Sequence, residues 1–291
     1  MTTAILLLAF LLLALAGWGI LGSSQVVHPV RFNPPVSPSE LGLSWRPLRV
    51  SALDGTPLVG WLIPHQAPRG ILILLHGFGT SKADLLDTAQ IFHAQGAYHL
   101  VLMDSRGHGA SGGEVISFGK KEVGDLKAVL DFLSGSPDLK GLPVGCYGIS
   151  MGGAIAILAA ARCPEIQAVV TDSAYADLSR AIARTEWLTY HIPRFPLGQM
   201  VLWGTELRLG CRLKELSPAL AVGGIAPRPL LIIHGGRDLS IMASEAARLF
   251  ELARGPKELW LVPEAEHVGA FYLERERYVQ RVLGFFDRYL T

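Results

Sequence analysis

A serine hydroxyl attacks a carbonyl carbon only when a neighbouring base removes its proton, so a nucleophilic serine is sought with its partners. Gly148-Ile149-Ser150-Met151-Gly152 has the pattern G-x-S-x-G. The pattern alone is weak in a chain with 32 glycines, and Gly109-Ala110-Ser111-Gly112-Gly113 matches it equally well. Context separates the two. Ser150 follows the apolar run Val144–Ile149 and precedes the Ala-rich stretch Met151–Arg162, which reads as strand, sharp turn and helix. Glycines on both sides allow that turn, and the following helix aims its free N–H groups at the exposed hydroxyl. Ser111 lies in the polar loop Arg106–Gly113 with no strand directly before it. The alternative for Ser150 is a structural serine in a tight turn.

The base and its orienting acid are expected later in the chain, in the order serine, acid, histidine. The run Leu231-Ile232-Ile233-His234 leads through Gly235-Gly236-Arg237 to Asp238, and Leu259-Trp260-Leu261-Val262 leads to Pro263-Glu264-Ala265-Glu266-His267. Both candidates follow strand ends, on the same sheet edge as Ser150. Asp238 could instead cap the next helix, and His267 could be an ordinary loop histidine. Asp172, Glu264 and Glu266 are rival acids that fit the order less well. A developing oxyanion needs two convergent backbone N–H groups. Met151, next to the nucleophile, offers one, and Phe78 in His76-Gly77-Phe78-Gly79, after the third strand, offers the other.

These residues need a rigid frame. Leu48–Ala52 and Leu58–Ile63 read as antiparallel strands joined at Asp54-Gly55. Gly70–Leu75, Tyr98–Met103, Val144–Ile149, Ile166–Thr171, Leu230–His234 and Glu258–Val262 read as further strands. Helical patterns lie between or after them at Ala83–Gln95, Lys120–Leu133, Met151–Arg162, Ala243–Ala253 and Glu274–Tyr289. Such alternation gives an α/β fold: a mainly parallel, doubly wound, eight-stranded sheet with helices on both faces. Residues 174–226 break the rhythm and crowd Trp187, Phe195 and Trp203 together. They are read as a helical cap inserted over the carboxyl edge of the sheet, where ligands bind in such folds.

With 291 residues, half of them hydrophobic, the chain is long enough for one large core. A net charge of +1 gives no reason to expect a nucleic-acid partner. The three cysteines, Cys146, Cys163 and Cys211, have no zinc or redox spacing. The histidines have no ligand spacing either, so neither a metal nor an organic cofactor is expected.

Ahead of this domain, Ala4 to Gly22 is uncharged and rich in Leu, Ile and Ala, about the ~20 residues that cross a bilayer as a helix. Residues 1–24 therefore read as a transmembrane anchor. The rival is a signal peptide cleaved near Ala14-Leu15-Ala16, with secretion as its consequence. Arg31, Arg46 and Arg49 follow the span, which places the domain on the cytoplasmic side if the anchor is retained. Residues 25–45 carry Pro29, Pro34, Pro35 and Pro38 and read as an extended spacer that lifts the 46–291 domain off the membrane.

Taken together, Leu75-His76-Gly77-Phe78-Gly79, Asp104-Ser105-Arg106-Gly107-His108-Gly109-Ala110-Ser111, the turn at Ser150, Leu230–Asp238 and the late His267 resemble the alpha/beta-hydrolase superfamily. They resemble its serine-aminopeptidase and monoacylglycerol-lipase-like branch most, over residues 46–291. The resemblance implies Ser150, Asp238 and His267 as a triad, Phe78 and Met151 as oxyanion donors, and a structural role for the Asp-x-Arg-Gly loop. One departure is Glu264-Ala265-Glu266 before the histidine, where the family more often has glycine, and two acids there would raise the basicity of His267.

The expected activity is acyl transfer from an uncharged small-molecule ester, such as a monoacylglycerol, to water. A short peptide or amide, or a non-catalytic binding role, are the alternatives. The apolar segment Trp187–Trp203 either roofs the acyl pocket or meets the bilayer.

Overall fold

The aliphatic runs do form a sheet. In a computed structural model of the chain, which describes residues 2–290, eight strands lie in the order β1-β2-β4-β3-β5-β6-β7-β8. They are β1 (Arg46–Ser51), β2 (Pro57–Ile63), β3 (Gly70–Leu75), β4 (Tyr98–Met103), β5 (Val144–Ile149), β6 (Ile166–Asp172), β7 (Leu230–Gly235) and β8 (Lys257–Val262). β2 pairs antiparallel with β1 and with β4, and every other pairing is parallel. Met1, at the head of the apolar segment, and Thr291 lie outside the described residues.

The helices are α1 (Thr2–Val27), α2 (Leu86–Gln95), α3 (Glu122–Gly135), α4 (Met151–Ala160), α5 (Leu178–Tyr190), α6 (Gln199–Leu209), α7 (Pro218–Ala221), α8 (Ala243–Leu252), α9 (Ala270–Leu273) and α10 (Arg275–Tyr289). Alternate residues of a strand point to opposite faces, and β4 divides accordingly. Val101 and Met103 join a core with Leu126 of α3, Ile157 of α4 and Leu249 of α8. Leu100 and Leu102 join a second core with Phe92 of α2 and Phe286 of α10. Central strands buried on both faces need the continuous apolar runs read from the sequence. The 174–226 segment is helical, built mainly from α5 and α6 over the carboxyl edge.

The amino-terminal segment departs from expectation. α1 continues to Val27, past the anchor boundary at residue 24. The 25–45 segment is not a free spacer. Val26 and Val27 are buried, Pro38–Leu41 forms a short 3-10 helix, and Leu41, Leu43 and Trp45 pack against the core of the α2 and α10 face. The prolines remove donors but do not prevent side-chain burial, and Arg31 ties this stretch down by donating to the carbonyls of Gly109, Ser111 and Gly113.

Candidate active site

Ser150 occupies the turn between β5 and α4 with φ +51° and ψ −117°. A non-glycine residue there is strained, and such strain persists only where surrounding structure imposes it. The flanking glycines show what does so. A Cβ on Gly148 would lie 2.4 Å from the Gly152 carbonyl, and one on Gly152 would lie 2.3 Å from the Leu75 oxygen. The helix can therefore begin against the end of β3 only because both positions lack side chains. The Ser150 N–H donates to the Asp172 carbonyl at 2.8 Å, which fixes the turn to β6.

His267 and Asp238 reach the same point from the loops after β8 and β7. His267 Nε2 lies 3.0 Å from Ser150 Oγ, and His267 Nδ1 lies 2.7 Å from Asp238 Oδ2. Asp238 is buried, and its other oxygen accepts the Ser240 and Ile241 N–H groups at 2.9 and 2.8 Å. With Nδ1–H donating to Asp238, Nε2 is left as the acceptor facing the serine. Asp238 thus both orients the histidine and holds the turn that follows it.

The rival acids are placed elsewhere. Glu264 pairs with Arg237 at the surface. Among the described residues, neither Glu264 nor Glu266 forms a hydrogen bond or ion pair with His267. Asp172 is fully buried, and its oxygens accept the Ser173 and Tyr278 hydroxyls at 2.9 Å each. Burial pushes its carboxyl above the usual range. This network was not legible in the sequence, yet it touches the site. Tyr147 and Tyr278 pair at 2.9 Å behind Asp172, and Ser173 Oγ accepts the Val268 N–H at 3.0 Å, next to His267. Ser173 and Val268 both carry positive φ, at +57° and +56°. For a β-branched residue that conformation is an outlier, so the hydrogen bond holds the histidine loop in a shape its sequence disfavours.

The oxyanion candidates sit beside the serine. A Cβ on Gly77 would lie 3.5 Å from Ser150 Cβ, which places the 76–79 loop against the Ser150 side chain. Neither the Phe78 nor the Met151 N–H has a hydrogen-bond partner among the described residues. Two histidines brace that loop on the next one. His76 Nε2 accepts the Ser105 N–H at 3.0 Å, and His108 Nε2 accepts the Gly79 N–H at 3.1 Å. Burial, assisted by the neighbouring His108, pushes the His76 pKa down to about 4, so the ring stays a neutral acceptor.

The rival serine is part of this bracing. Ser111 is fully buried, donates to the Asp104 carbonyl at 2.7 Å and accepts the Val59 N–H at 2.9 Å. Arg106 forms ion pairs with Asp125 and Asp54. The Asp104–Ser111 loop is structural, as the resemblance implied.

Two cavities meet at Ser150. The larger, 630 Å³, is bordered by His267, Tyr272 and the polar Thr80, Asp84, Asp87 and Ser240. The smaller, 310 Å³, runs under the cap between Phe118, Met151 and Ile182. It also contains Glu186, a buried residue whose carboxyl is pushed upward by loss of water. The cap segment divides by face. Ile182, Glu186 and Tyr190 line the small cavity, whereas Trp187, Phe195, Trp203 and Leu207 are exposed outside.

A serine held at a strained strand-to-helix turn, with its hydrogen-bonded partners after the ends of β7 and β8, defines an alpha/beta hydrolase. Comparisons agree. Residues 66–199 match the serine aminopeptidase family, S33. The Bacillus subtilis protein YqkD is 33% identical over 226 residues, covering 77% of this chain and 73% of the relative. The esterase Pf2001 of Pyrococcus furiosus superimposes with a TM-score of 0.78 at 28% identity, covering 91% of this chain and 98% of that one. A dienelactone hydrolase from Anabaena variabilis, at 22% identity and TM-score 0.64, shares the fold over 86% of this chain and 99% of its own. The chain belongs to the alpha/beta-hydrolase superfamily, on its serine-aminopeptidase branch.

Proposed function

We propose that the chain is a serine esterase that cleaves an uncharged acyl ester through an acyl-enzyme intermediate. The observation that carries this reading is the continuous contact from Ser150 Oγ through His267 to buried Asp238. His267 Nε2 takes the hydroxyl proton as Ser150 Oγ bonds to the ester carbon. The carbonyl oxygen becomes an oxyanion facing the Phe78 and Met151 N–H groups. Collapse breaks the C–O bond, and His267 returns the proton to the departing alcohol. Water then attacks the acyl-enzyme by the same steps and releases the acid.

α1 supports a membrane location. Residues 4–18 are exposed or half-buried and apolar, and at 1.5 Å per residue they span about 22 Å, the larger part of a bilayer core. In this reading α1 is a retained anchor, and Arg31, Arg46 and Arg49 keep the domain on the cytoplasmic side.

A second reading, cleavage of short peptides, draws on Asp84 and Asp87 in the larger cavity, which could hold a free amine. Against it, burial pushes the Asp84 carboxyl upward, which weakens it as an anion. The test is labelling of the full chain with a fluorophosphonate, followed by p-nitrophenyl esters and aminoacyl p-nitroanilides. Labelling that is lost in Ser150→Ala, with ester turnover dominant, is expected. An unlabelled protein would overturn the hydrolytic role, and dominant anilide turnover would overturn the ester assignment.

A further inference from the structure

The last turn of α1 does not stop at the domain surface. Gln25 and Val26 line the 310 Å³ cavity together with Phe78, Phe118, Ile182 and Ser150. We propose that the anchor helix is a working wall of the acyl-chain site, so that it determines which chain lengths reach Ser150. This rests on the ester reading above.

The docking of α1 is built, not incidental. α1 crosses α6 where both have small residues. A Cβ on Gly19 would lie 2.7 Å from the Met200 oxygen, and one on Gly204 would lie 2.5 Å from the Gly19 oxygen. A Cβ on Gly22 would lie 2.5 Å from a Val201 methyl. Small residues at such a crossing let two backbones touch. Arg208 of α6 then donates to Ser23 Oγ at 2.9 Å and to the Ile20 carbonyl at 2.8 Å. Beyond the helix, the Ile116 N–H donates to the Val27 carbonyl at 2.9 Å. The helix end is therefore clamped from the cap on one side and from the 106–116 loop on the other. Val26 is held at the cavity wall by contacts that a passive tether would not require.

The occupant this wall fits is a single acyl chain. The lining is mainly aliphatic and aromatic, with Gln25, Thr185, Glu186 and Thr189 as its polar members beside the serine, and the cavity opens beside Ser150, where the carbonyl carbon must sit. Its volume is at the small end for ligand pockets, which suits a medium chain. Each methylene buried there favours binding by about fourfold. The wall is the continuation of the apolar helix, so the site adjoins the segment read above as the membrane anchor.

The experiment uses the full chain in detergent micelles and reads the kcat/KM ratio of p-nitrophenyl octanoate to acetate. In Gln25→Trp, a substitution at an exposed position that fills the cavity, the ratio should fall by about tenfold or more. In Val26→Ala, which widens it, the preferred chain should lengthen. Leu21→Trp, on the same helix but away from the cavity, should keep the wild-type ratio. Unchanged chain-length profiles in both Gln25→Trp and Val26→Ala, with wild-type fluorophosphonate labelling, would overturn the wall assignment alone. A fall in Leu21→Trp equal to that in Gln25→Trp would also overturn it, because the effect would then come from anchoring. Absence of labelling in the wild type would overturn the esterase reading and this inference with it.

Discussion

Ser150 and Ser111 occupy the same five-residue pattern and have opposite fates. Ser150 stands at φ +51° with its hydroxyl bonded to His267. Ser111 is sealed in the protein, its hydroxyl spent on the Asp104 carbonyl and the Val59 N–H. The flanking glycines differ in what they serve. Those around Ser150 let a strand, a helix and the end of β3 converge. Gly109, at φ +47°, instead leaves room for the Asp104 carboxylate, which a Cβ would meet at 2.2 Å. The motif is thus a permission for close approach, and the neighbouring elements decide what approaches.

The sharpest way to break this contrast is to remove each hydroxyl. Ser150→Ala should abolish hydrolysis of short p-nitrophenyl esters with the fold intact, a loss on the order of a millionfold in turnover. Circular dichroism and an ester assay check it. If Ser111 proved essential and Ser150 dispensable, the contrast would be reversed.

Next in size is His267→Ala, which should lose nearly as much as Ser150→Ala, while the double variant loses little more. Groups that act as one unit are non-additive. Losses that multiply in the double variant would separate His267 from Ser150.

The contrast also marks how much is legible in the residues alone. The eight strands follow from apolar runs and turn residues, because central parallel strands must be apolar on both faces, whereas the order serine, acid, histidine is taken from the chain order that goes with such a fold. Choosing Ser150 over Ser111 needed the strand before it and the helix after it. Other features had no local signature. Asp172 is reached by Tyr278 from 106 residues away, and no spacing announces such a pair. Ser173 and Val268 both carry positive φ and are hydrogen-bonded to each other, and neither residue type announces such a conformation. The docking of α1 did leave a trace. Gly19, Gly22 and Ser23 make one end of an otherwise bulky apolar helix small, as a helix–helix contact requires.

A third expected outcome concerns the brace between the two serine-bearing regions. His76 and His108 accept N–H groups across it only when neutral. The His76 pKa falls from 6.5 to about 4 on folding, through burial first and then His108. A depressed histidine makes the unfolded chain bind protons more readily between those values. Its contribution is therefore full above pH 6.5 and is lost as the pH falls toward 4. Thermal unfolding of the full chain in detergent should show the midpoint dropping by several degrees over that window. His76→Gln, which keeps an acceptor but does not titrate, should flatten the acid limb. An unchanged limb would place the acid sensitivity elsewhere.

The smallest effect expected is at Ser111 itself. Ser111→Ala removes a donor to the Asp104 carbonyl and the acceptor for the Val59 N–H. Leaving buried partners unsatisfied costs about 1–3 kcal/mol, equivalent to a melting-point decrease of roughly 2–4 °C per kcal/mol in a domain of this size class. At least about a tenth of the wild-type activity should remain, because Ser111 touches neither Ser150 nor His267. A small loss is still expected, since the loop carrying Ser111 also holds His108, which accepts the Gly79 N–H next to Phe78. That loss should appear in kcat, as the oxyanion loop loosens. Measuring both melting and turnover separates the two contributions. A variant that melts as wild type but keeps far less than about a tenth of its turnover would show the 104–113 loop to act on the reaction directly, and the division between a chemical serine and a structural one would fail.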